Sequence, residues 1–323
     1  MAASVLSFAA GPLHARATRE LRVLEGLTGA FRAGTATLII ANAGGGKLTL
    51  LELVAARRAA SEGRVLWNGL APGAGAARPP KVAAVSPQVD VHEPLLTVRE
   101  TLEFAAACCV ATHGAAEASE AERALRARLV DHVIDTLGLR ECEGVIVGDA
   151  QARGISGGQK KRVTLGEALL TGARVLCLDE VTNGLDAATA ADIMRFVADW
   201  AHVTGGTVVA ALQAPTPETL ACFDEVLLLS NGRELFHGPV SAMPGYLAAR
   251  GFHCPSCVDA ADFALTVCVS LSFAAATYGG APELLSPEAL AAEWDASRIS
   301  EQLGKKEGAG KALEFRSSGF EPL

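Results

Sequence analysis

With 323 residues the chain can bury a large core, and length alone suggests about two domains. Its net charge of −8 supplies no global basic field, which argues against recruitment of nucleic acid by bulk electrostatics. Half of it is hydrophobic, a share inflated by alanine, yet no apolar run reaches the ~20 residues that span a bilayer and no N-terminal stretch has signal-peptide order.

Residues 1–34 read as short β segments. Val5 to Phe8 and Leu21 to Leu27 are mainly apolar runs separated by a polar turn, and Phe31-Arg32-Ala33-Gly34 makes another turn. Phe8 and His14 are the upstream rings available to a nucleotide base, and neither is assignable.

The stretch Thr35 to Leu51 organises the chain. A β-rich run, Thr35 to Ile40, enters three glycines, and Lys47 opens a leucine-rich segment with helical spacing: strand, phosphate-binding loop, helix. Backbone without Cβ can curl closely enough to aim successive N–H groups at phosphate oxygens, and the helix N-terminus adds partial positive charge. The match to G-x-x-x-x-G-K-S/T is imperfect at both ends. Ala41 stands where its first glycine belongs, and Leu48 stands where a hydroxyl should meet Mg²⁺. On these residues alone, a glycine turn between strand and helix is the alternative.

Leu48 to Arg58 then reads as helix and Gly63 to Asn68 as strand, followed by a Pro/Gly/Ala-rich connector from Leu70 to Lys81. Val82 to Val85 is a strand leading into Ser86-Pro87-Gln88-Val89-Asp90, where the Gln88 amide can turn toward a metal or an attacking water, or lie on the surface. Thr97-Val98-Arg99-Glu100 matches a capping box, so a helix starts there. Glu117 to Gly138 has apolar positions at helical spacing. Residues 97–153 hold helices without an alternating strand and read as a helical subdomain inserted into an α/β core.

Arg153 to Gly166 is the second informative stretch. Ser156-Gly157-Gly158 places a hydroxyl and exposed backbone N–H groups ahead of a basic helix start, an anion cradle or an ordinary glycine turn. Val175 to Leu178 is an apolar strand delivering Asp179 and Glu180 at its end. In nucleotide hydrolysis the first can hold Mg²⁺ and the second can polarise the attacking water, whereas a solvated acidic loop is the alternative.

Later elements follow the same reading. Asp186 to Val203 is a helix; Thr207 to Leu212 and Phe223 to Leu229 are strands. Asn231-Gly232 turns the latter into a hairpin. Phe263 to Tyr278 is a buried or interfacial helix, Ser286 to Leu303 a surface helix, and the tail beyond Gly304 is read as disordered. The eight scattered cysteines, beside a nucleotide-type loop, suggest free thiols in a reducing cytosolic setting. Cys254-Pro255-Ser256-Cys257 lacks the second pair of a zinc framework.

Together these stretches resemble the nucleotide-binding domain of ABC transporters over about residues 20–265. Ala41 to Thr49 looks like Walker A, Gln88 like the Q-loop glutamine, Ile155 to Gln159 like the signature, Val175 to Glu180 like Walker B and Thr182 to Asp186 like the D-loop. Residues 91–102, 154–164 and 251–255 are similar to the pleiotropic-drug-resistance branch of the G subfamily, most nearly the first such domain of full-size members.

The resemblance implies a RecA-like P-loop core with an antiparallel β subdomain and the helical insert, in a domain covering 1–265 with a partly disordered extension, 266–323. It further implies ATP and Mg²⁺ as cofactors. Ala43, Gly44, Gly45, Gly46, Lys47, Leu48 and Thr49 would hold the nucleotide, Ser156, Gly157, Gly158, Gln159 and Asp186 would complete it across a dimer, Asp179 and Gln88 would face the metal, and Glu180 and Gln88 would be catalytic. The expected partners are a second such domain, closing head to tail, and a membrane-spanning domain, with no nucleic acid, at the cytoplasmic face of a membrane. Two departures bear on chemistry: Leu48 itself, and Leu212 where the family archetype has its switch histidine, before Gln213. The alternatives are a binding-only regulatory domain, which Leu48 favours, and a soluble ABC ATPase acting on nucleic acid, which the charge disfavours. The signature stretch argues against a kinase or small GTPase.

Overall fold

The computed structural model describes residues 22–73, 82–110, 120–284, 286–304 and 312–316. The first half runs β1 (Thr28–Arg32), β2 (Thr35–Ala41), α1 (Lys47–Val54), β3 (Arg64–Trp67), β4 (Ala83–Ser86), α2 (Val98–Val110), α3 (Glu120–Thr136) and α4 (Gly157–Leu170). It continues through β5 (Val175–Asp179), α5 (Ala187–Thr204), β6 (Thr207–Ala211), α6 (Pro217–Leu220), β7 (Glu225–Ser230) and β8 (Arg233–Pro239). Four helices and a strand close the described chain: α7 (Met243–Ala248), α8 (Ala260–Val269), α9 (Leu271–Tyr278), α10 (Pro287–Gly304) and β9 (Ala312–Arg316).

Six strands form one sheet in the order β4, β5, β6, β2, β7, β8, parallel except for the β7–β8 hairpin at one edge. A parallel sheet needs cover on both faces, which is why β2 is buried without a break from Ala36 to Ala41. Its pleat divides that run. Ile39 and Ala41 enter a cluster with Phe31, Leu50, Leu51 and Val54, while Leu38 and Ile40 enter a larger one that also holds Val267, Leu102 and Ile134. Residues of α2, α3 and α4 share that larger cluster, so the helices of 97–153 are seated on the strand core. Gly166 of α4 makes their close approach possible, since a Cβ there would lie 2.8 Å from Leu102 Cδ2.

A second sheet has the order β1, β9, β3, antiparallel throughout. Here the structure departs from the sequence reading. Leu21 to Leu27 contains no strand in its described part; the strand is Thr28–Arg32, which takes in Phe31 and Arg32 of the expected turn and leaves Ala33-Gly34 to make it. Part of the polar tail supplies β9. The boundary at 265 falls inside α8, and Val267, Leu271, Ala274, Leu290 and Trp294 are buried in the main cluster, so this part of the expected extension is packed onto the body. Trp294 Nε1 donates to Glu234 Oε1 at 2.6 Å. Phe263 to Tyr278 is two helices, broken at Ser270, whose φ of −155° is extended.

Other elements fall where expected. Thr97 N donates to Glu100 Oε2 at 2.8 Å and Glu100 N to Thr97 Oγ1 at 3.2 Å, the reciprocal capping box. The Asn231-Gly232 turn has φ of 49° and 77°, the positive pair that a two-residue hairpin requires. Burial pushes the Cys177 and Cys268 thiols up to about 12, which keeps them protonated. Phe8, His14 and most of the connector at 70–81 lie outside the described residues. Among the described residues no helix is long and apolar enough to cross a membrane, and no cluster could hold a metal through three His, Cys, Asp or Glu side chains.

Candidate nucleotide site

Register places the site. Ala211, the last residue of β6, pairs with Asp179 on one side and Ile39 on the other, while Ser86 pairs with Leu178. The C-terminal ends of β4, β5, β6 and β2 therefore share one edge of the sheet, which is where parallel α/β sheets bind ligands. The loop after β2, Glu180 after β5 and Gln88 after β4 all leave that edge.

The loop is a tight cradle. Gly45 N donates to Asn42 O at 3.0 Å, and a Cβ on Gly45 would lie 2.3 Å from Asn42 Oδ1. Gly46 caps α1 at φ 92°, and a Cβ there would meet Leu24 Cδ2 at 2.4 Å. Side chains are thus excluded on the inner wall. Ala43 and Gly44 are exposed at the outer lip, and Thr49 is half-buried in the first turn of α1. Lys47 Nζ donates to Ala41 O at 3.3 Å, which holds the ammonium over its own loop. Asn42 braces the loop from outside, its Nδ2 donating to Asn231 Oδ1 at 3.0 Å. Leu48 is 48% exposed and offers no lone pair.

Asp179 and Glu180 are both buried. Burial and the neighbouring Glu180 charge raise the Asp179 carboxyl above its ordinary value, against the pull of Lys47 and Lys161. Glu180 sits at φ 51°, a left-handed conformation that is costly for a side chain with a Cβ, held by its N–H donating to Ala211 O at 2.8 Å. Its Oε2 accepts from Gln88 Nε2 at 2.5 Å and from Asn183 Nδ2 at 2.7 Å. These residues therefore converge.

The signature residues open a different helix. Ser156 caps α4, with Gln159 N donating to its Oγ at 3.2 Å and Ser156 N donating to Gln159 Oε1 at 2.8 Å. Gly157 has open space beside it, whereas a Cβ on Gly158 would lie 3.0 Å from Leu185 Cδ2. Among the described residues no hydrogen bond or ion pair joins 156–159 to the loop 41–49. Asp186, expected at the nucleotide, spends its carboxylate on capping α5 by accepting from Thr189 N and Oγ1, and those bonds hold its carboxyl below the usual range. Leu212 is buried in the main cluster. Sequence reasoning missed Asn183, whose signal was its place three residues after Glu180, and Lys161, which stood unremarked in the basic start of the helix after Ser156.

The residues present fit a triphosphate: a side-chain-free cradle, a helix N-terminus and one ammonium. For a divalent cation they offer the Asp179 carboxylate, with no hydroxyl at position 48 and the Gln88 amide engaged by Glu180. A glycine cradle with a carboxylate pair at the same sheet edge defines a P-loop nucleotide-binding domain.

Residues 24–183 match the family model described as ABC transporter. The chain is 34% identical over 271 residues to ABC transporter G family member 45 of Oryza sativa subsp. japonica, covering 76% of this chain and 20% of that protein. It is 35% identical over 273 residues to ABC transporter G family member 32 of Arabidopsis thaliana, covering 76% and 19%. The chain carries an ABC transporter ATP-binding domain of the G subfamily, and it corresponds to about a fifth of the length of these relatives. Domains of this family bind ATP, typically with Mg²⁺.

Proposed function

We propose that this domain binds ATP between its own loop and the Ser156 to Gln159 edge of a second nucleotide-binding domain, hydrolyses it, and through closure drives export by a membrane-spanning domain. One observation favours the reading: Gln88 bonds Glu180 beside Asp179 at the sheet edge that carries the Lys47 loop, while among the described residues no hydrogen bond or ion pair joins the signature residues to that loop. Contacts made in the closed dimer alone convert binding energy into rearrangement. Lys47 and the N–H groups of Gly44 to Gly46 hold the phosphates; Glu180 orients and deprotonates the attacking water, with Gln88 beside it. Asp179 would hold Mg²⁺, which when bound would supply charge neutralisation at the phosphates. Val89, Val91, Leu95 and Phe104 expose apolar surface directly after Gln88 and form the docking face for the membrane partner at its cytoplasmic side. Residues 91–102 and 154–164 favour the pleiotropic-drug-resistance type and the first-domain position. Exposed Leu48 and buried Leu212 favour a second reading, a binding-only domain that regulates a catalytic partner.

Light scattering of the Glu180→Gln protein with ATP tests the first reading. Dimers should form, and either Lys47→Ala or Ser156→Arg should abolish them, with monomer binding of a fluorescent ATP analogue lost in Lys47→Ala alone. Loss of monomer binding in Ser156→Arg as well would place both edges on one nucleotide and overturn the dimer.

A further inference from the structure

Lys161 is a buried cation in the second turn of α4, with 6% of its side chain exposed. Its ammonium donates to Gln88 O at 2.6 Å and to Pro87 O at 3.3 Å, and it pairs with Asp90 Oδ1 at 3.0 Å. Three donors thus meet three acceptors, all in the segment that carries Gln88. Thr164, one turn further along α4, donates to Asp90 Oδ1 at 2.6 Å. The contact is specific because a buried ammonium left without partners costs several kcal/mol, so this segment and α4 must move together or not at all.

Gln88 is held at both ends. Its carbonyl accepts from Lys161, while its amide donates to Glu180 Oε2. We infer that Lys161 is a positioning residue that sets the Gln88 amide against Glu180 and makes that setting follow any displacement of the Ser156 edge. Lys161 lies on the same helix as Ser156 and Gly158, five residues beyond the cap. A ligand engaging that edge shifts α4, α4 carries the ammonium, and the ammonium carries the Gln88 carbonyl. The signature of one domain would thereby adjust the acid-base pair of the same domain, without a route through the polypeptide joining them. The catalytic part of this inference rests on the ATPase reading above.

Two measurements separate the inference from that reading. Hydrogen exchange of the full chain needs no turnover: Lys161→Met should speed exchange in residues 86–92, with the loop 41–49 unchanged. Unaltered exchange at 86–92 would overturn the clamp whether or not the protein hydrolyses ATP. Steady-state kinetics then tests the route. Lys161→Met should lower kcat about tenfold with little change in KM, the effect of a misplaced group, and the loss should vanish in a Gln88→Ala background. An equal loss in both backgrounds would assign Lys161 to general structure and reject the positioning role. A parent rate at the Glu180→Gln level would reject the ATPase reading, and the exchange result still decides the clamp. If Lys161→Met does not fold, Lys161→Gln, whose amide NH₂ can still donate to the carbonyls, is read in the same two assays, with smaller changes expected in the same directions.

Discussion

Gln88 and Glu180 are 92 positions apart in sequence and share one hydrogen bond of 2.5 Å. Each thereby fixes where the other points. Groups that act as a unit lose their effect together, so their substitutions should not add. Glu180→Gln is expected to lower the ATPase rate by roughly a hundredfold or more, as loss of a general base does. Gln88→Ala should cost about tenfold alone and almost nothing further in the Glu180→Gln protein. Rates for the four combinations check this, and full additivity would show independent roles.

Leu48→Thr should raise the ATPase rate. Residue 48 is in the first turn of α1, where a hydroxyl would face the phosphates, and leucine has no lone pair there. Thr49 does not stand in, because the next helical residue points about 100° away. ATP affinity should change little, since Lys47 and the loop N–H groups remain. Rates measured across a Mg²⁺ titration decide it: a parent well above Glu180→Gln and unchanged by Leu48→Thr would show that the missing hydroxyl does not limit turnover.

Asp179 makes stability depend on pH. Its carboxyl is raised in the folded chain by burial and by Glu180. A raised carboxyl favours folding while protonated, and that contribution is lost as pH climbs from the ordinary aspartate value, about 3.9, through the raised one. Asp179→Asn removes the ionised form, so it should melt higher than the parent at neutral pH, with the difference shrinking as pH falls toward 4. Thermal unfolding by circular dichroism without nucleotide measures both limits.

Gly154→Ala should destabilise the approach to the signature. A Cβ there would lie 2.2 Å from Val147 O and 2.4 Å from Val147 C, against backbone that cannot rotate away. Overpacking of this kind costs about 1–3 kcal/mol. Denaturant unfolding should show the lower midpoint, together with faster exchange at 147–155.

What the sequence disclosed was what local chemistry decides. The β-rich run of β2, the glycine cradle and the capping box at Thr97 are each written within a few residues. What it concealed was decided at a distance. Thr28–Arg32 is less apolar than the stretch before it and becomes a strand because 312–316 pairs with it. Lys161 looks like one more charge in a basic helix until the carbonyls of Pro87 and Gln88, more than 70 residues earlier, enclose it.

The order of strands in the antiparallel sheet has a consequence for biosynthesis. β1 and β3 do not pair with each other; each is bonded to β9, with Thr28 opposite Arg316 and Trp67 opposite Leu313. During translation both early strands leave the ribosome long before the segment that joins them, and their backbone edges stay open through synthesis of the whole nucleotide site. Contacts of such large sequence separation form slowly because the intervening loop must close first. The growing chain can therefore complete its parallel sheet while this second sheet waits, which gives chaperones a defined, late-closing edge to protect.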